Sequence, residues 1–194
     1  MNTPNKLTIL RICLVPFMVF FLTADFVPFH YLWALIIFVA ASVTDAIDGH
    51  LARKHNLITD FGKFLDPLAD KILVISALVC FVEMHACSSV VVIIVLAREF
   101  LVSALRLVAV GEGKVIAASN WGKLKTVSQM VAVIWELVFW SVYSVVGEAA
   151  MAEYHLFSTG YGIGEALLWI STILTVISGV DYVWKNRSFI NPAK

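Results

Sequence analysis

Apolar residues run along this chain in long blocks, broken by short polar stretches and without the three-to-four-residue alternation of a helix that lies half in water. A helix rises about 1.5 Å per residue, so crossing a hydrocarbon layer of about 30 Å takes roughly 20 residues. Measured against that length, the blocks predict six helical spans: Leu7–Thr23, Phe29–Ala52, Phe64–Val82, Ser88–Val110, Trp121–Val146 and Gly162–Trp184. The first is short and is expected to enter from an interfacial stretch. The expected fold class is all-α, a single integral membrane domain over 1–194 with six transmembrane helices.

Basic residues give these spans a direction. With the N-terminus in the cytoplasm, the inward connections 53–63 and 111–120 and the two ends hold Lys6, Arg53, Lys54, Lys63, Lys114, Lys185, Arg187 and Lys194. The outward connections, around Asp25, 83–87 and 147–161, hold no Lys or Arg. The positive-inside rule therefore places both termini in the cytoplasm, as in a bacterial-type inner membrane. Lys6 and Arg11 ahead of an apolar run resemble a signal peptide, but no small-residue cleavage site follows, so a retained first span is expected.

Composition agrees with a lipid surround. Of the 194 residues, 60% are hydrophobic and 14% charged, and the mean hydropathy is +0.88; soluble domains carry about 25% charged residues. The 14 basic and 14 acidic residues cancel, so no bulk field points to nucleic acid. Cys13, Cys80 and Cys87 read as small buried hydrophobes, and the five histidines lack ligand spacing.

Acids in the apolar runs are the exception that carries chemistry. Asp45 and Asp48 are three apart near the inner end of the second span, and Asp66 and Asp70 four apart near the start of the third. Those spacings put each pair on one helical face, and an antiparallel hairpin brings both pairs to one depth. Four such carboxylates repel unless cations hold them, and carboxylate oxygens suit hard ions such as Mg²⁺ or Mn²⁺. Two ions bridged by four aspartates would clamp the oxygens of a phosphoryl transfer. Gly49 and Ala52 leave room for a bulky ligand, and Arg53 offers a planar fork to phosphate. Plainer readings exist singly: Asp66-Pro67 as a helix cap with proline at the first position, Asp48-Gly49 as a turn, and Arg53-Lys54 as an inside flank. None explains Asp45 and Asp70 within apolar helices.

The string Asp45-x2-Asp48-Gly49-x2-Ala52-Arg53-x8-Gly62-x3-Asp66-x3-Asp70 resembles the signature of the CDP-alcohol phosphotransferases, position for position. The resemblance implies two divalent cations on Asp45, Asp48, Asp66 and Asp70, with Asp70 also the general base. It implies a CDP-diacylglycerol pocket including Gly49, Arg53 and Thr59, joined by Asn5 and Thr8 of Asn5-Lys6-Leu7-Thr8, and a homodimer. The acceptor alcohol attacks the phosphorus that bears the lipid, and CMP leaves. No side chain suggests itself as a nucleophile, so direct displacement is expected.

A second polar cluster bears on the acceptor. Arg98 and Arg106 are eight apart in the fourth span and share one side, and Lys123 and Lys125 enter the fifth. Together they read as an anion pocket for a phosphorylated acceptor; the alternative is Arg98 paired with Glu99 and the lysines as interfacial anchors. The strings 97–106 and 122–126 resemble the phosphatidylglycerophosphate synthase branch, which implies glycerol 3-phosphate as acceptor. Other branches take serine, inositol phosphate, choline or another lipid, as in cardiolipin synthesis, and a phosphate pocket alone does not separate glycerol 3-phosphate from inositol phosphate. From a different class, a cation transporter could use the four aspartates, but no repeat or pair of broken helices is visible and Gly49 and Arg53 would have no role. Trp135, Phe139, Trp140 and Trp169 read as interface anchors, lipid-facing bulk or a dimer seam. Glu136, inside the fifth span, either pairs with a base or lines a cavity.

Overall fold

The computed structural model describes residues 3–55, 60–111, 114, 116, 119–147 and 156–187, with the backbone alone for 3–6, 45–55, 60–64, 66, 67 and 70. Among the described residues the chain is all-α: α1 Thr3–Thr23, α2 His30–His55, α3 Asp60–Glu83, α4 Ser89–Gly111, α5 Asn120–Val146 and α6 Leu156–Lys185. Each expected span lies within a helix except for Phe29 and Ser88, which fall one residue ahead of α2 and α4. The helices also outrun the hydropathy blocks, α1 beginning at Thr3 and α6 at Leu156. Hydropathy reports where a helix meets apolar surroundings, whereas the backbone ladder continues until a cap or breaker ends it. At α5 that cap is Ser119, whose Oγ accepts from the Gly122 amide, and Gly147 closes the other end at φ 82°.

Two breaker readings are corrected. Asp48-Gly49 lies inside α2, and Asp66-Pro67 lies six residues into α3, so neither marks a turn or a cap. Flanking hydrogen bonds and packing override a local turn signal of this kind. Pro16 likewise sits inside α1, where it removes one bond from the ladder.

α5 packs along α6, α1 against α2 and α3, and α4 against α6, while α2 reaches across to α5. One core draws on all six helices, through Met18, Phe38, Leu73, Phe81, Val95, Leu137 and Leu168 among others. Ala34, Ala41, Ala77 and Ala132 are fully buried within it, and such small residues allow backbones to approach closely. At the end remote from the acidic motif, Phe29 and His85 take φ of 57° and 58° in the α1–α2 and α3–α4 turns. Tyr161 donates to the His85 carbonyl at 2.8 Å and fastens α6 to the second of these turns.

Side-chain faces depart from the sequence reading in two places. Cys13 is exposed, on the opposite side of α1 from Val15, Met18 and Leu22, so only Cys80 and Cys87 are the expected buried thiols. Phe139 is buried, and it joins Trp140, Tyr143 and Phe157 in an aromatic cluster between α5 and α6. Trp169 is exposed, as expected of lipid-facing bulk. Among the described residues two helices, α5 and α6, are long and apolar enough to cross a membrane, and the apolar stretches 7–23 and 30–44 are shorter.

Candidate active site

α2 and α3 are separated by four residues, 56–59, and the aspartates are placed almost symmetrically about that gap. Asp48 is seven residues before the end of α2 and Asp66 six after the start of α3; Asp45 and Asp70 are each ten away. At 1.5 Å per residue these offsets are about 10 Å and about 15 Å on both helices, the spacing an antiparallel hairpin would need to bring both pairs to one height. The side chains of Asn5, Asp45, Asp48, Arg53, Asp66 and Asp70, and all of Thr59, lie outside the described residues. Gly49 is within α2. Among the described residues no group of His, Cys, Asp or Glu gathers to hold a metal. The donor set at the four positions is purely carboxylate, which fits a hard divalent cation.

α1 brings two buried polar side chains to this end of the bundle, Thr8 and, one turn on, Arg11, each 1% exposed. Arg11 was read from the sequence only as a flanking charge. Its place within an apolar run is the signal that marks it, since a guanidinium is seldom buried there without a role.

The basic cluster is built around one carboxylate. Glu99 of α4 is buried; its Oε1 accepts from Arg98 Nη1 at 2.9 Å and from Lys125 Nζ of α5 at 2.7 Å. Its Oε2 faces Lys71 Nζ of α3 at 3.3 Å. Lys71 also donates to Ser103 Oγ, which in turn donates to the Glu99 carbonyl. Arg98 Nη2 donates to Ser178 Oγ of α6 at 2.8 Å. Three helices are thus tied through one acid and a fourth through Arg98, and three cations against one carboxylate leave a net charge of +2.

The sequence-derived residues divide. Arg98 and Lys125 come together, and Arg98 pairs with Glu99 as the alternative reading held. Lys125 is too buried to be an interfacial anchor. Arg106 shares the α6-facing side of α4 with Arg98, as its spacing predicts, but lies against Tyr182, its Nε 3.3 Å from the phenol oxygen and its guanidinium over the ring. Lys123 is exposed, because residues two apart point to different sides of a helix. Lys71 was missed. It sits next to Asp70 in the chain, and a lysine inside an apolar helix was the available signal.

Among the described residues the chain is an all-helical bundle whose α2 and α3 carry the four aspartates and whose Lys71, the next residue along, joins a cation-rich cluster around Glu99. Residues 1–177 match the CDP-alcohol phosphatidyltransferase family, and the chain belongs to it. It is 39% identical to a Bacillus subtilis protein across 95% of both chains. It is 40% identical to one from Haemophilus influenzae across 94% of this chain and 91% of the relative, and 37% identical to one from Rickettsia bellii across 93% of each. All three are named CDP-diacylglycerol–glycerol-3-phosphate 3-phosphatidyltransferase.

Proposed function

We propose that this chain transfers the phosphatidyl group of CDP-diacylglycerol to glycerol 3-phosphate, giving phosphatidylglycerophosphate and CMP. The observation that carries the acceptor assignment is the excess of two positive charges formed by Lys71, Arg98 and Lys125 around Glu99, one residue along the chain from Asp70. A glycerol phosphate dianion matches that excess, whereas serine and choline bring no phosphate.

Asp45, Asp48, Asp66 and Asp70 would hold two Mg²⁺ or Mn²⁺ ions. Bound there, the ions supply neutralisation of the diphosphate and of charge developing on the departing CMP. Arg53, Gly49, Thr59, Asn5 and Thr8 hold the nucleotide, and Arg11 adds a cation to that end of the bundle. Lys71, Arg98 and Lys125 grip the acceptor phosphate, with Arg106 and Lys123 nearer the rim, and so orient its hydroxyl. The hydroxyl gives its proton to Asp70; its oxygen bonds to the phosphorus bearing diacylglycerol, and the bond from that phosphorus to the oxygen of CMP breaks. Positioning provides most of the rate in such a step.

The chain works as a single domain of six transmembrane helices in the bacterial cytoplasmic membrane, with both termini and the active site on the cytoplasmic side, and as a homodimer. The charge asymmetry of its connections supports the orientation. The outer faces support the spans: on α4, Ile93, Phe100 and Leu107 are 62%, 70% and 75% exposed at seven-residue intervals, a continuous apolar stripe suited to acyl chains. The homodimer rests on the family resemblance.

The test presents the purified protein with CDP-diacylglycerol and, in turn, glycerol 3-phosphate, inositol phosphate, serine and phosphatidylglycerol. CMP release with glycerol 3-phosphate alone is expected. Release with a different alcohol alone would move the chain to another branch, and no release with any would favour the transporter reading.

A further inference from the structure

An acidic side chain inside an anion pocket calls for explanation, because it repels the ligand the pocket attracts. Glu99 is the only acid among the described residues that contacts Lys71, Arg98 and Lys125, and it contacts all three. Its two oxygens are divided between them: Oε1 joins α4 to α5 through Lys125, and Oε2 joins α4 to α3 through Lys71. With the second amino group of Arg98 held by Ser178 of α6, each cation is fixed by a partner on a different helix.

Without that carboxylate, three like charges within a few ångströms would separate. Like charges repel strongly where little water screens them, and lysine side chains have the reach to move toward water. The side chains of Arg98 and Lys125 are 13% and 6% exposed, whereas that of Lys71 is 29% exposed. Lys71, the residue joined to the acidic motif, is therefore the most exposed of the three. Lys71 has three donors; Ser103 and Glu99 take two.

We propose that Glu99 is the positioning residue of the acceptor site, holding Lys71, Arg98 and Lys125 at the spacing that receives the acceptor phosphate, and that Lys71 is the member of that trio at the mouth of the site. This deepens the assignment of a phosphorylated acceptor and rests on it. Glu99 takes no part in bond making; it acts through the cations. The excess of positive charge that remains after Glu99 is counted is what selects a phosphate dianion over an uncharged alcohol.

The test is steady-state kinetics of the full-length enzyme in mixed micelles, with each substrate varied in turn, for the wild type, Glu99→Gln, Glu99→Asp and Lys71→Met. Binding of CDP to each variant by calorimetry reports whether the nucleotide half is intact. Glu99→Gln is expected to raise KM for glycerol 3-phosphate at least tenfold while moving KM for CDP-diacylglycerol less than twofold. Glu99→Asp, which keeps the charge but shortens the reach, is expected to fall between, and Lys71→Met to shift the same constant. If Glu99→Gln does not fold, Glu99→Asp and Lys71→Met carry the same comparison. An unchanged acceptor KM overturns the proposal, and so does a lowered one, which would make Glu99 a competitor for the cations. Equal losses for both substrates together with weakened CDP binding would reduce Glu99 to a structural residue and also overturn it. A wild type that uses another phosphorylated alcohol corrects the acceptor alone, and the same ratios are then read with that alcohol. A wild type that uses no phosphorylated acceptor refutes both.

Discussion

Gly164 is where the α5–α6 seam has least room, and its replacement by alanine gives a measurable test of how that seam is built. A methyl group there would run into Glu136 Oε1, with Glu136 Cδ at 2.9 Å and Trp135 Cδ1 at 3.2 Å. Glu136 is 1% exposed, so its carboxyl cannot relieve the clash by swinging out to solvent. Overpacking of this kind costs about 1–3 kcal/mol, and alanine's better helix propensity returns up to about 1 kcal/mol. The net loss of about 1–2 kcal/mol corresponds to a fall in Tm of about 2–8 °C for a chain of this size.

Gly160 supplies the control. A methyl there would meet the ring of Phe139, but that ring borders an apolar cavity of about 300 Å³ lined by Trp135, Val142, Leu156 and Ile163 among others. Phe139 can yield into it, so Gly160→Ala should cost less than Gly164→Ala. Thermal unfolding in detergent of the two single variants, Glu136→Ala and the Gly164→Ala/Glu136→Ala double variant decides the matter. Removing the Glu136 carboxyl should relieve the methyl, giving a coupling of about 0.5–3 kcal/mol. Strict additivity, or equal losses at both glycines, would refute the steric account. Gly164 is fourteen residues from Ser178, about 21 Å along α6, so substrate KM values should not move.

Asp70→Asn is expected to retain CDP-diacylglycerol binding and lose turnover; near-normal CMP release would remove it as the base. Chelation should abolish CMP release and added Mg²⁺ or Mn²⁺ restore it, and activity that persists in chelator would contradict the divalent-cation reading. Arg98→Ala removes charge-assisted bonds of about 1.5–3 kcal/mol, so acceptor KM should rise about 10- to 100-fold. Exposed Lys123→Ala should change it less than threefold, and the reverse order would place the phosphate elsewhere. Cys87, in the α3–α4 connection, has its thiol pushed up to about 12 by burial and by the Glu136 carboxylate. Because the thiolate is the reactive form, an aqueous maleimide at pH 8 should leave Cys87 unmodified until the protein is unfolded.

Helix number, and the placing of Asp45, Asp48, Asp66 and Asp70 on the second and third helices, were legible because both rest on the length of the apolar blocks. What the sequence hid depends on faces. A helix that is apolar all round has little periodicity to show which side is buried, so nothing in α1 distinguished exposed Cys13 from buried Val15 and Met18. The same blindness assigned Lys123 and Lys125 one role, though the structure gives Glu99 only Lys125. Glu99 was legible as a neighbour of Arg98. That it also gathers Lys71, twenty-eight positions earlier, and Lys125, twenty-six later, is a property of helix packing with no trace in local spacing.

Position 71 explains why an acid site and a base site can share so small a bundle. Successive residues of a helix are about 100° apart around its axis, so α3, which turns Lys71 toward Ser103 and Glu99 of α4, carries position 70 on a different side. α3 packs against α1 and α2 as well as α4 and α5, and it is the element common to the acidic motif and the basic cluster. Inserting one residue between Asp70 and Lys71 would rotate one site against the other by about 100° while leaving composition and hydropathy almost unchanged. Such a variant should bind CDP and should still be a helical membrane protein by circular dichroism, yet release no CMP. If it kept even a tenth of wild-type turnover, the two sites would not depend on a shared helix for their alignment, and the coupling argued from α3 would be wrong.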